Sequence, residues 1–159
     1  RVHLDLLVQS NEEEIAIELK YKTRVGKLHH AGEDFALRNQ SAQDIGRHDF
    51  IKDIQRLERY VEARNCSVGF AVLLTNDRTY WTESRKTDSV DSEFRVHEGR
   101  VLKGGAAWGA KASVGTMHKR EEPIALHGTY KMVWSDYCSL GPASNENFRY
   151  LLIRVPGDA

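Results

Sequence analysis

Asp5, Glu18 and Lys20 are the residues whose types and spacing could do chemistry. Val2, Leu4, Leu6 and Val8 alternate with His3, Asp5, Leu7 and Gln9, and Ile15, Ile17, Leu19 and Tyr21 alternate with Ala16, Glu18, Lys20 and Lys22. A period of two predicts strands, and the polar stretch Ser10-Asn11-Glu12-Glu13 between them predicts a hairpin turn. With Asn11 and Glu12 as the turn residues, Asp5 falls directly across from Glu18, and Lys20 follows on the same face. Opposed residues on one sheet face have Cβ atoms about 4.5–5.5 Å apart, and like charges there repel. A hard divalent ion such as Mg²⁺ or Mn²⁺ prefers oxygen ligands and would relieve that repulsion. Such an ion lowers the pKa of a bound water and offsets charge on an attacked phosphate, while a lysine at the rim can orient the water or stabilise developing charge. The chemistry that fits is hydrolysis of a phosphodiester. The competing reading of these residues is a surface cross-strand ion pair between Asp5 and Lys20, shifted by two positions and worth about 0–1 kcal/mol.

The elements that must hold this triplet can be read further along the chain. Phe50, Ile54, Leu57 and Val61 recur at helical spacing, with Lys52, Asp53, Arg56 and Arg59 elsewhere on the wheel, which predicts an amphipathic helix of about four turns ending near Asn65. Residues 68–74 are apolar on both faces, as in a strand buried mid-sheet, and Asn76-Asp77 supplies a turn after it. Strand, turn, strand, helix, buried strand is a ββαβ unit with a right-handed helical crossover. The expected class is α/β or α+β, with a central mixed sheet.

Residues 23–43 read mainly as connection, with room for a short strand at Phe35-Ala36-Leu37. Residues 94–102 read as a hairpin around Glu98-Gly99, and 103–119 as loop. Residues 129–137 and 148–155 read as strands that extend the sheet or form a small flanking one. Tyr130, Met132 and Trp134 belong to the core on this reading.

Asp5, twelve residues, then Glu18-Leu19-Lys20 within the string IAIELKYK resembles the motif of the PD-(D/E)XK nuclease superfamily. The ββαβ order resembles its restriction endonuclease-like core, over about the first half of the chain. The resemblance implies Asp5 and Glu18 as metal ligands, the carbonyl of Leu19 as a further ligand and Lys20 as the catalytic lysine. It also implies a polar residue from the following helix facing the site. The string KDIQRLERY offers Asp53, Gln55 and Arg56, with Gln55 favoured as an auxiliary catalytic group and Arg56 as a nucleic-acid contact beside Lys22 and Arg24.

Two features depart from the family pattern: Leu4 stands where a proline often precedes the aspartate, and the helix that usually opens the superfamily is not in a sequence that begins at Arg1. The implied activity is a Mg²⁺- or Mn²⁺-dependent nuclease acting on DNA, with RNA left open and a homodimer compatible. The alternative is a catalytically silent member of the same fold that binds nucleic acid or protein.

The 159 residues suit one domain spanning 1–159. The 23 basic and 23 acidic side chains give no positive excess, so any polyanion-binding surface must come from local clustering. Lys22, Arg24, Lys27, His29 and His30 form one such cluster, or a solvated loop. Lys103-Gly104-Gly105 with Trp108, Lys111 and Lys119 has the make-up of a mobile nucleic-acid-contacting loop, without a GxxxxGK[ST] phosphate loop. Asp49 reads as a charge at the helix start.

Cys66 and Cys138 lack CxxC spacing, which argues against zinc and disulfides and for reduced thiols in a cytoplasmic protein. The apolar runs are too short for a membrane span, and no leader opens the chain. No Ser-His-acid trio or Cys-His pair stands out.

Overall fold

In the computed structural model, which describes residues 4–11, 13–64 and 68–157, the chain begins with β1 (Leu6–Gln9) and β2 (Glu14–Lys22). A hairpin of β3 (Gly26–His30) and β4 (Glu33–Leu37) precedes α1 (Gln43–Arg64), and β5 (Val68–Thr75) follows the helix. After a 3₁₀ turn at Ser92–Phe94 come β6 (Val101–Ala106), the short α2 (Val114–Met117), β7 (Ile124–Lys131), β8 (Trp134–Ser139) and β9 (Asn147–Pro156).

β1, β2, β5, β9 and β8 lie side by side in that order as one mixed sheet. β2 and β5 run parallel, as the α1 crossover requires, and the other neighbours are antiparallel. The class is mixed α+β, with one main helix.

Small residues set the closeness of helix and sheet. Ala16 and Ala71 are fully buried beneath α1, and a Cβ at Gly69 would stand 3.2–3.3 Å from the side chains of Leu57 and Val61. The helix fills that shallow floor with Ile54, Leu57 and Val61, all buried. Each such aliphatic side chain contributes about 1.5–3 kcal/mol of burial.

On its other side α1 meets β7, so the helix lies between the main sheet and the β6–β7 pair. This second cover accounts for the length of α1. Its 22 residues begin at Gln43, well before Phe50, because Arg47 and His48 are buried against Asp91, Phe94 and Trp108. Arg47 meets Asp91 at 2.6 Å, and His48 stacks on Trp108 with ring centroids 5.4 Å apart. The expected four-turn amphipathic helix is thus a longer one, covered on two sides.

Several expectations for the second half are corrected. Residues 94–102 are not a hairpin: Phe94 ends the 3₁₀ turn, residues 95–100 are irregular, and Gly99 turns the chain at φ 79°. Lys103, Gly104 and Gly105 belong to β6 rather than to a loop. Residues 129–137 are two strands, not one. Gly99 N–H donates to Met132 C=O, Met132 N–H donates to Arg100 C=O, and there the chain passes from the β6–β7 pair into the main sheet. Tyr130, Met132 and Trp134 are core, as expected.

In the first half, residues 26–37 form a full hairpin around Ala31 and Gly32, both at positive φ. β5 is the central strand, as its composition predicts. Only alternate residues of it are fully buried, because α1 covers one sheet face. The uncovered face carries Leu19, Tyr21 and Leu152, each about half exposed.

Cys138 is a free, partly buried thiol, while Val2, His3, Glu12 and Cys66 lie outside the described residues. No helix among the described residues is long and apolar enough to cross a membrane.

Candidate active site

The observed β1–β2 register pairs Leu6 with Ile17, Leu7 with Ala16, Val8 with Ile15 and Gln9 with Glu14. Ser10 N–H donates to Glu13 C=O at 2.8 Å at the end of this ladder. Asp5 lies one residue before β1, beyond the last pair of the ladder, Leu6 with Ile17. Its Oδ2 accepts a hydrogen bond from Leu19 N–H at 2.8 Å. The strand's amide and carbonyl of one residue leave on the same side, so the Leu19 carbonyl is also on the Asp5 side of β2. The Asp5–Lys20 ion pair weighed from sequence is not the observed arrangement, because Lys20 turns to the helix instead.

Glu18 and Lys20 alternate with Leu19 on β2 and face α1. There Lys20 Nζ lies 2.8 Å from Asp53 Oδ2. Arg56, one turn later, bridges two acids: Nη1 donates to Glu18 Oε1 at 2.6 Å and Nη2 to Asp53 Oδ1 at 3.1 Å. Glu18 is 3% exposed in its side chain and Asp53 8%, against 37% for Arg56. Burial pushes the Glu18 carboxyl up to about 7; Asp53 and Asp5 act in the same direction, and Arg56 offsets only part of it. Burial also raises Asp53, despite Lys20 and Arg56 beside it.

A second pair borders this cluster. Arg120, just after α2, grips Asp49 with Nε at 2.7 Å and Nη2 at 2.9 Å, and Trp108 Nε1 donates to the Arg120 carbonyl at 3.0 Å. Burial acts to raise the Asp49 carboxyl. The hydrogen bonds from His48 and Arg120, with the Arg120 and Lys20 charges, outweigh it and hold the group well below the usual carboxylate range. Asp49 is therefore an anchor in the second turn of α1 rather than a charge at the helix start. Trp108, expected on a nucleic-acid-contacting loop, instead packs against His48 and Phe94, while Lys111 and Lys119 remain exposed.

Of the helix residues singled out from sequence, Asp53 and Arg56 reach the site and Gln55 does not. Gln55 Nε2 donates to the Ala125 carbonyl of β7 at 2.9 Å. Two residues along a helix turn the side chain about 200°, which carries Gln55 from the sheet side, where Asp53 points, to the β7 side. Asp49, Asp53 and Arg56 stand at i, i+4 and i+7, one helical stripe, and that spacing is the sequence signal that separates them from Gln55. Lys22 faces the same way as Lys20 and packs near Gly46 at the start of α1. Arg24 is half exposed and 3.8 Å from Asp77. His29, in the predicted basic cluster, pairs with Asp34 across the β3–β4 hairpin at 2.7 Å.

The donors around Glu18 are carboxylate oxygens, the preference of hard divalent ions. Among the described residues no three His, Cys, Asp or Glu side chains form a group able to hold a metal by themselves. Mg²⁺-type ions ordinarily take one or two carboxylates and fill the remaining positions with water and phosphate. Glu18, with the Asp5 carboxylate nearby on the Leu19 amide, offers the one or two carboxylates such an ion takes, while Asp53 is engaged by Lys20 and Arg56.

Comparisons with protein-family models, curated proteins and solved structures find no match to this chain.

Proposed function

We propose that this chain is a divalent-metal-dependent phosphodiesterase of the PD-(D/E)XK type, a nuclease with a restriction endonuclease-like core whose substrate is DNA. The observation that supports the reading is the Leu6–Ile17 end of the β1–β2 register, with the Asp5 carboxylate on the Leu19 amide between Glu18 and Lys20. The β1–β2 hairpin, the α1 crossover and the parallel β5 support this reading, with the β3–β4 hairpin inserted before the helix.

On this reading Asp5 and Glu18 hold a Mg²⁺ or Mn²⁺ ion, with the Leu19 carbonyl as a further ligand. When bound there, such an ion would activate a water and offset charge on the scissile phosphate. Lys20 stabilises charge that develops in the transition state, and Asp53 fixes its ammonium group in place. Arg56, Lys22 and Arg24 contact the sugar-phosphate backbone, where cations position the strand without reading sequence. Gln55, tied to β7, acts by holding α1 in place.

A second reading has one observation in its favour. Glu18 and Lys20 are both engaged in ion pairs, with Arg56 and Asp53, as in a silent module that keeps the fold to bind nucleic acid or protein.

The experiment that separates the two is cleavage of plasmid and single-stranded DNA with Mg²⁺, Mn²⁺ or chelator, using the parent protein and the Asp5→Ala and Lys20→Ala variants. The nuclease reading expects metal-dependent cleavage that both substitutions abolish. DNA binding without cleavage under every condition favours the silent module, and cleavage indifferent to chelation and to both substitutions places the active site elsewhere.

A further inference from the structure

Glu18, Lys20 and Asp53 are largely buried, while Arg56 is the most exposed member of the network and reaches in from the solvent side. Its fork joins an acid of β2 to an acid of α1, at 2.6 and 3.1 Å. The other Asp53 oxygen is held by Lys20 at 2.8 Å. Two acids and two bases thus face one another, with the charge of Asp5 also felt at Glu18. A divalent ion on Glu18 would meet the guanidinium on the same carboxylate, and the two cations repel at close range. A planar guanidinium is also the group best matched to a phosphate, with the same paired donors it uses for carboxylates.

We propose that Arg56 is an exchangeable cation. It holds Glu18 and Asp53 together while no divalent ion is bound, and it moves to a phosphate oxygen of the nucleic acid when an ion takes its place on Glu18. This inference rests on the metal-dependent reading of the site. It adds that ion and nucleic acid bind cooperatively through one side chain, because each favours the conformation in which Arg56 has left Glu18. Such coupling is reciprocal: the factor by which the ion tightens nucleic-acid binding equals the factor by which nucleic acid tightens ion binding.

Two binding measurements test it without turnover. The first titrates Mn²⁺ into the protein alone, following free Mn²⁺ by electron paramagnetic resonance, for the parent and the Arg56→Met, Arg56→Gln and Glu18→Gln variants. Circular dichroism establishes that each is folded. Removing the competing cation is expected to tighten Mn²⁺ binding about tenfold or more in both Arg56 variants, whereas Glu18→Gln abolishes it. The second follows binding of a short labelled DNA duplex by fluorescence anisotropy in chelator and in Ca²⁺, a hard ion with the same oxygen preference. Ca²⁺ is expected to tighten DNA binding of the parent by a larger factor than that of the Arg56 variants.

Mn²⁺ binding that depends on Glu18 but is unchanged or weakened in both Arg56 variants overturns the exchange and leaves the metal site standing. Equal Ca²⁺ gains for parent and variants also overturn it. Mn²⁺ binding identical in the parent and Glu18→Gln overturns the exchange and the metal-dependent reading together.

Discussion

The Lys20 ammonium and the Asp53 carboxylate meet at 2.8 Å across the interface of β2 and α1. A lysine on a strand has a long, flexible stem, and a fixed partner removes much of that freedom; if the chain is the proposed nuclease, Asp53 positions the lysine's charge. Asp53→Asn keeps the shape and deletes the charge. The expected outcome is a folded protein whose DNA cleavage falls by about a hundredfold, the scale of loss when a reacting group is misplaced by about 1 Å. Cleavage rates at saturating Mg²⁺ measure this, and a rate equal to that of the parent would remove Asp53 from any positioning role.

Glu18 gives a prediction in pH. Its carboxyl titrates near 7 in the fold against 4.5 ordinarily, so the folded state binds this proton more tightly than the unfolded chain does. The sign follows from linkage: the contribution is complete below about pH 4.5 and is lost as pH rises to about 7. The interval corresponds to roughly 3 kcal/mol. Glu18→Gln mimics the protonated form at every pH. In metal-free buffer its stability relative to the parent should therefore rise by up to that amount between pH 4.5 and pH 8. Urea denaturation at the two pH values checks it, and a pH-independent difference would show that Glu18 titrates normally.

The first hairpin is more legible in the sequence than the elements around it, for physical reasons. A period-two pattern and a short polar turn fix the register of a hairpin, so the pairing of Leu6 with Ile17 and Val8 with Ile15 is legible in the alternation. The central position of β5 was legible in its unbroken apolar run, and Tyr130, Met132 and Trp134 in their alternation.

What could not be read depends on partners distant in sequence. The first two turns of α1 are polar and become helix because Asp91, Phe94 and Trp108 cover them. The passage of the chain between sheets at Met132 interrupts no pattern, since Met132 stays buried at the crossing. Gln55 was misplaced because a polar helix residue carries no local mark of which side it faces, although the i, i+4, i+7 spacing of Asp49, Asp53 and Arg56 does.

The Arg47–Asp91 pair is the strongest link between α1 and the irregular segment that covers its start. Arg47 donates from Nε at 3.0 Å and from Nη2 at 2.6 Å to one oxygen of Asp91, and both side chains are nearly excluded from solvent. Arg95 adds a donor at 3.1 Å to the other oxygen. Removing one member of a buried pair strands the other charge, at a cost of about 3–5 kcal/mol. Asp91→Ala is expected to lose that much in urea denaturation, and a loss below about 1 kcal/mol would mean that water reaches Arg47 readily. Because the pair stands apart from Glu18 and Lys20, Mn²⁺ binding by the folded fraction should be unchanged.

Glu58 is held differently from Glu18, by backbone amides and a hydroxyl rather than by an arginine. The register of β6 and β7 breaks between Lys103 and Gly104, and the extra residues on β7 turn two amides, those of His127 and Gly128, inward toward α1. Glu58 accepts both, at 3.1 and 2.8 Å, together with the Tyr130 hydroxyl at 2.8 Å. Tyr130 closes over this bulge so tightly that a Cβ at Gly128 would stand 2.5 Å from its hydroxyl, so glycine is required there for space. Glu58→Ala leaves three donors without an acceptor, each costing about 1–3 kcal/mol if it stays dry. Glu58→Gln retains an acceptor oxygen but turns an NH₂ group toward donors. Both variants should be destabilised, Ala more than Gln. Hydrogen exchange should show the change concentrated in β6 and β7, with amides of β2 and β5 protected as in the parent until global unfolding. Uniform loss of protection across both sheets would instead mean that the β6–β7 pair and the main sheet unfold as one unit.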